Sequence, residues 1–122
     1  VNNKLYNYKA VVDRVVDGDT VDVIIQLGFD ISFKARIRLL GVNAPESRTT
    51  DLEEKKLGLA AKAFVVKWLE DRGNTIIIAT QLDKKGKFGR ILGLISEVDG
   101  DETLNYTLLA KGHASPYTGG KR

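Results

Sequence analysis

Between Ile31 and Leu39, apolar and polar residues alternate without a break. Ile31, Phe33, Ala35, Ile37 and Leu39 are interleaved with Ser32, Lys34, Arg36 and Arg38. A period of two puts one set on each side of an extended chain. This stretch is therefore a strand with one face for a core and one face carrying three cations. The segments upstream read the same way. Val21, Val23, Ile25 and Leu27 are interleaved with Asp22, Ile24 and Gln26, and a valine-rich run extends from Tyr8 to Val16. Asp17-Gly18-Asp19 and Gly28-Phe29-Asp30 supply the turns between them. Three strands joined by two short turns make a meander.

The period then changes. After a loop at Gly41 to Thr50, Leu57, Ala60, Ala61, Phe64, Val65, Trp68 and Leu69 recur at helical spacing. Thr50 and Glu53 match a capping box, and Gly73 fits the stop. Trp68 lies on the apolar stripe, so core packing is its expected role. A β-rich run at Thr75 to Thr80 and a strand at Arg90 to Ile95 follow. A short second helix is expected near Thr103 to Lys111, with Leu104, Leu108 and Leu109 toward the core and Gly112 ending it. Residues 1–7 and 113–122 are expected to be irregular. The order β-β-β-α-β-β-α predicts an α+β, mainly β fold: a five-stranded OB-fold barrel with a helix between its third and fourth strands and a short C-terminal helix. An open five-stranded α+β sheet is the alternative. The 122 residues suit one domain.

Composition narrows the chemistry more by what it lacks. There is no cysteine, which excludes disulfides and thiolate metal sites. His113 is the single histidine, which argues against a histidine zinc site or a Ser-His-Asp triad. No apolar run reaches membrane-spanning length, so no membrane association is expected. No signal peptide is visible. The chain begins at Val1 rather than Met, as after removal of an upstream segment, and its localisation stays open. A net charge of +3 is no nucleic-acid signature by itself. The distribution says more: Lys84, Lys85, Lys87 and Arg90 crowd one loop, Lys34, Arg36 and Arg38 share a strand face, and Lys121-Arg122 end the sequence.

Three segments carry the candidate chemistry: Asp17-Gly18-Asp19-Thr20, Arg38-Leu39-Leu40-Gly41-Val42-Asn43-Ala44-Pro45-Glu46-Ser47, and Phe88-Gly89-Arg90. Each has an ordinary structural explanation: a hairpin turn, a solvent-facing arginine, an acid opening a helix, an arginine at a strand start. Together they place carboxylates and arginines at strand ends that converge on one barrel rim. Asp17 suits the turn. Asp19, at the start of the next strand, is held rigidly enough to ligate a hard cation. Phosphodiester hydrolysis calls for this set: oxygens for a metal, a base for water, guanidinium groups for phosphate.

In this order and spacing the three segments resemble the thermonuclease (staphylococcal nuclease-like) family, over about Tyr8 to Ala114. The resemblance implies a calcium site formed by Asp19, the side chain of Asn43 and the backbone carbonyl of Ala44. It implies Glu46 as general base and Arg38 and Arg90 as phosphate-binding arginines. Lys87, Phe88 and Tyr117 would contact nucleic acid. The implied activity is a calcium-dependent endonuclease with little sequence preference, cutting DNA or RNA to 3′-phosphate ends and acting as a monomer. Asn43 stands where the family pattern has aspartate, and Phe88 where it has tyrosine. The sequence stops soon after the second helix, so a compact member without the family's third C-terminal helix is expected. The competing expectation is a non-catalytic OB-fold module that binds nucleic acid or protein. An enzyme acting on a small phosphate ester is a third.

Overall fold

The computed structural model describes residues 6–82 and 91–117. Its elements are β1 (Tyr6–Asp17), β2 (Thr20–Gly28), β3 (Ile31–Leu39), β4 (Val42–Asn43), α1 (Leu52–Glu70), β5 (Thr75–Leu82), β6 (Ile91–Ser96), α2 (Leu104–Ala110) and β7 (Ser115–Pro116). Five strands form a closed barrel in the order β1-β2-β3-β6-β5. The meander pairs antiparallel, and β1 also pairs with β5. Closure comes from a short parallel contact, Ile37 opposite Ile91 and Leu39 opposite Gly93. That contact rules out the open sheet and gives the OB-fold barrel, with α1 between its third and fourth strands. A Cβ on Gly93 would lie 2.8 Å from Ile37 Cγ2, so the seam needs a glycine there.

The alternation in β2 and β3 places Val21, Val23, Ile25, Ile37 and Leu39 inside, all buried. They meet Ile76, Ile78 and Ile95 from the other half of the barrel, and Val65, Trp68, Leu69, Leu104 and Leu108 from the helices. Each such side chain contributes about 1.5–3 kcal/mol when fully removed from water. Register shifts at Val12/Arg14 and Val15/Asp17 mark irregularities in β1. Bulges of that kind increase twist and help a strand follow a curved wall. Among the described residues no helix is long and apolar enough to cross a membrane.

Several local expectations need correction. The cap of α1 is Asp51, not Thr50: its carboxylate accepts from the N–H groups of Glu53 and Glu54. The helix begins at Leu52, which makes Asp51 the flanking residue, and a carboxylate suits the positive helix end. β1 begins at Tyr6, before the expected Tyr8, because Tyr6 pairs with Thr80 of β5. The tail after α2 is not wholly irregular, since Ser115 and Pro116 pair with Asn43 and Val42. Thr103 caps α2, and Gly73 and Gly112 take positive φ just beyond the two helices, as the stop signals imply.

The β4–β7 pair bears on the site. Alternation puts Arg38 on the outer face of β3, where solvent is expected. Arg38 is instead only 8% exposed. The Val42–Asn43 strand and the β7 segment fold back toward that end of β3 and enclose its guanidinium.

Candidate functional site

The site grows from the β1–β2 turn. Gly18 lies between the two aspartates and packs against helix and loop together: a Cβ there would sit 2.8 Å from Ala61 Cβ and 2.9 Å from Ala44 Cβ. Only a glycine lets the turn approach α1 so closely. Each flanking aspartate then holds a different part of the segment after β3.

Asp19 is 5% exposed. A carboxylate removed from water needs partners. Oδ1 accepts from Thr20 Oγ1 at 2.9 Å and Oδ2 accepts from the Ala44 N–H at 2.9 Å. Arg38 Nη1 lies 3.1 Å from the same Oδ2. The Asp19 backbone carbonyl accepts from the Leu39 N–H at 2.8 Å. The residue is thus tied to the end of β3 by backbone, side chain and charge.

Asp17 does more than turn the chain. Its Oδ1 accepts from both the hydroxyl and the backbone N–H of Ser47. Glu46 lies between Ala44, bonded to Asp19, and Ser47, bonded to Asp17. The backbone N–H of Glu46 donates to Glu54 Oε2 of α1 at 3.1 Å. Its carbonyl rests against Gly58, where any Cβ would collide with it. Glu46 itself is exposed. A solvent-reaching carboxylate on a tightly anchored backbone is what a positioned base requires.

Arg38 faces this segment. Nη1 donates to the Val42 carbonyl at 3.0 Å and Nη2 to Asn43 Oδ1 at 3.3 Å. Its Cζ lies 5.1 Å from the Tyr117 ring centroid. The Tyr117 N–H donates to the Gly41 carbonyl at 3.0 Å, and the β4–β7 pair positions the ring. The structure therefore brings together Asp19, Arg38, Asn43, Ala44 and Tyr117 at one end of the barrel, and holds the Glu46 backbone against α1 two residues beyond Ala44. Arg90, Lys87 and Phe88 lie outside the described residues. Beside Asn43, Ala44 and Pro45, a cleft of about 470 Å³ opens toward Glu54, Leu57 and the His113–Ser115 stretch.

The donors proposed for a cation fit calcium in kind, because Asp19, Asn43 and Ala44 offer only oxygen. Formal charge is scarce. Among the described residues no three His, Cys, Asp or Glu side chains group as a metal site, and the Asp19 carboxylate already carries Arg38.

Sequence reasoning missed two supports. Ser47 is 3% exposed and is the partner of Asp17; its only signal was a serine after Glu46. Asn105 is 3% exposed on α2, where its Oδ1 accepts from the Ile95 N–H at 3.0 Å. Its Nδ2 donates to the carbonyls of Leu40 at 2.8 Å and Gly93 at 3.0 Å. It fixes the chain immediately before Gly41. An asparagine next to Leu104 on the buried side of a short helix was the available clue.

Residues 36–121 match the family model described as staphylococcal nuclease homologue. The chain is 33% identical over 114 residues to a protein named endonuclease YhcR from Bacillus subtilis, covering 90% of this chain and 9% of that protein. It is 34% identical over 103 residues to a thermonuclease from Staphylococcus intermedius, covering 84% of this chain and 56% of the relative. It is 32% identical over 129 residues to an uncharacterized protein, MJ1439, from Methanocaldococcus jannaschii, covering 91% and 60%. The chain spans less than two thirds of the length of each of these relatives.

Proposed function

The chain belongs to the staphylococcal nuclease homologue family, and on that premise we propose that it hydrolyses phosphodiester bonds of DNA or RNA. The observation that carries this reading is the pair of turn aspartates. Asp19 and Asp17 anchor the loop on either side of Glu46, through Ala44 and Ser47, and Asp19 holds Arg38 beside it.

In this reading Glu46 takes a proton from a water whose oxygen attacks phosphorus. The bond from phosphorus to the 5′ oxygen breaks, and that oxygen takes up a proton from solvent water, giving 3′-phosphate and 5′-hydroxyl ends, while Glu46 returns its proton to solvent. Arg38 holds phosphate oxygens through its planar fork, which an ammonium group cannot imitate. Its present bonds to the Val42 carbonyl and Asn43 amide are to neutral acceptors, and an anionic phosphate competes well with those. Contacts of this kind go to the nucleic-acid backbone, so sequence preference is weak. Arg90, Lys87 and Phe88 are proposed to add to phosphate and nucleotide binding, and Tyr117 to line the site beside Arg38.

Calcium is the proposed cofactor, held by Asp19, Asn43 Oδ1 and the Ala44 carbonyl. When bound, it supplies positive charge against the charge that develops on phosphate. One observation favours a second reading, a non-catalytic OB-fold binding module: the single side-chain carboxylate of the proposed ligand set is already ion-paired with Arg38.

The deciding assay is release of acid-soluble nucleotides from denatured DNA and from RNA, with calcium and with a chelator, followed by end-group analysis. Calcium-dependent release with 3′-phosphate ends is expected. Tight binding of the polymer without release would establish the binding module instead.

A further inference from the structure

The outer face of β3 does not stop at Arg38. Lys34 and Arg36 lie on the same side of the strand, and both are exposed. Arg36 is held in place: its Nε and Nη2 donate to the two carboxylate oxygens of Asp22 at 2.8 and 3.2 Å. That bond keeps the Asp22 carboxyl below its ordinary range. Successive outward residues on a strand are about 6.6 Å apart, close to the repeat of an extended nucleotide backbone.

The hairpin ends in an unusual turn. Phe29 has φ +56° and is 97% exposed, between Gly28 at +85° and Asp30 at +63°. Turns of this hand favour glycine and asparagine, and a bulky side chain there is strained. An aromatic ring kept fully in water in a strained backbone calls for a reason outside folding. At about 3.3 Å per residue, Phe29 stands about 30 Å along the hairpin from Arg38.

We propose that the β2–β3 hairpin is a binding arm for single-stranded nucleic acid, with phosphates on Arg36 and Lys34 and a base stacked on Phe29. The inference rests on the nuclease reading, because it takes Arg38 as the phosphate site from which the strand runs. The charge pattern supports this occupant over a lipid surface. Lys34 and the Nη1 edge of Arg36, which Asp22 does not engage, face the approach, whereas the tip carries Asp30, which suits a base and repels a phosphate or an anionic membrane. Stacking on an exposed ring is tolerant of sequence, as a non-selective enzyme requires.

The test measures binding, in calcium, of cleavage-resistant phosphorothioate oligodeoxythymidines, one of two nucleotides and one of about ten, a length within the usual single-strand site sizes. Wild type should bind the longer one more tightly. Phe29→Asn should weaken the longer ligand by about fivefold or more, the loss of one base stack, and leave the dinucleotide unchanged. Asparagine accepts positive φ more readily, so this variant should melt no lower than wild type, which separates the effect from misfolding. Lys34→Gln should reduce the slope of log affinity against log salt by about 0.7, one phosphate contact on a single strand. If both variants keep the wild-type preference for the longer ligand, the hairpin arm is wrong and the nuclease reading stands. If wild type binds neither ligand, both fail.

Discussion

Two arginines in this molecule sit among carboxylate and aromatic partners, and the proposed function gives them opposite uses. Arg72 lies just past the end of α1. Its Nε and Nη2 donate to Glu97 Oε2 at 3.1 and 2.8 Å, its Nη2 lies 3.3 Å from Glu102 Oε1, and its Nη1 donates to the Trp68 carbonyl at 2.9 Å. Its Cζ is 3.7 Å from the Trp68 ring centroid. Glu102 is bonded in turn by the Trp68 indole N–H and the Thr107 hydroxyl. Two carboxylates and a carbonyl share one guanidinium, and the whole cluster joins α1 to the ends of β6 and α2.

Arg38 is more deeply buried, yet its described acceptors are one carboxylate, a loop carbonyl and an amide oxygen. A phosphate would gain little by approaching Arg72, where two anions already stand. On the proposed reading it gains more at Arg38, where the Val42 carbonyl and the Asn43 amide oxygen are neutral acceptors. A phosphate there would displace the bonds to those two groups.

The largest expected effect removes the proposed base and leaves both clusters intact. Glu46→Gln should lower turnover by about two to four orders of magnitude with binding nearly unchanged. Unaltered kinetics at neutral pH would take Glu46 out of the mechanism. Next comes Gly58→Ala, which touches no charge. The new methyl must push away the Glu46 carbonyl, so both the cleavage rate and the melting temperature should fall, the latter by the equivalent of about 1–3 kcal/mol, the usual cost of overpacking. A variant that melts lower yet cleaves at the full rate would mean that the backbone at Glu46 need not be held.

Asn43→Asp makes Arg38 more like Arg72 by putting a carboxylate where a neutral amide oxygen now accepts from Nη2. It should also strengthen calcium binding severalfold in the free protein, since one more fixed charge faces the cation. Calorimetric titration of calcium into both proteins, with and without a non-cleavable nucleotide, checks this. In wild type the two ligands should reinforce each other's binding. Unchanged calcium affinity in both titrations would remove Asn43 from the ligand set.

The smallest effect lies at the structural cluster. Hydrogen bonds from the Trp68 indole and then the Thr107 hydroxyl hold the Glu102 carboxyl below its ordinary value of 4.5. A folded value below the unfolded one means that the unfolded chain binds more protons in this range. The stabilisation is therefore full above about pH 4.5 and is lost as pH falls below it. Glu102→Gln should flatten the acid side of the melting curve, by less than about 1 kcal/mol because the side chain is 44% exposed. Identical acid limbs would show that this bond contributes nothing.

The legibility of the two clusters differed for the same physical reason. Strand alternation reports which side of β3 a residue takes, so Ile37 and Leu39 were readable as core and Lys34 as surface. It cannot report that β4 and β7 close over Arg38, because that pairing joins residues more than seventy positions apart. The motif segments led to Asp19, Arg38, Asn43 and Glu46 through their resemblance to a family. Ser47 stood at the end of that segment without a role, and nothing of that kind flagged Asn105 or Arg72; the partners of all three are set by tertiary approach. The spacing of Thr50 and Glu53 fits a capping box, whereas Asp51 alone stands next to the first helical residue.

The contrast between the two arginines is most directly tested with Arg38→Lys and Arg72→Lys, measuring melting and single-turnover cleavage of one single-stranded oligonucleotide in calcium on the same samples. Charge is kept in both, and only the fork is lost. Rates are compared per folded molecule. Arg38→Lys should slow cleavage by about a hundredfold or more, the range for losing a preorganised donor to developing charge. Arg72→Lys should cleave at the wild-type rate and melt lower, by the equivalent of about 1–2 kcal/mol for weakened charged hydrogen bonds. Wild-type cleavage by Arg38→Lys, or an equal loss of rate in both variants, would contradict the assignment of the Arg38 rim as the catalytic site.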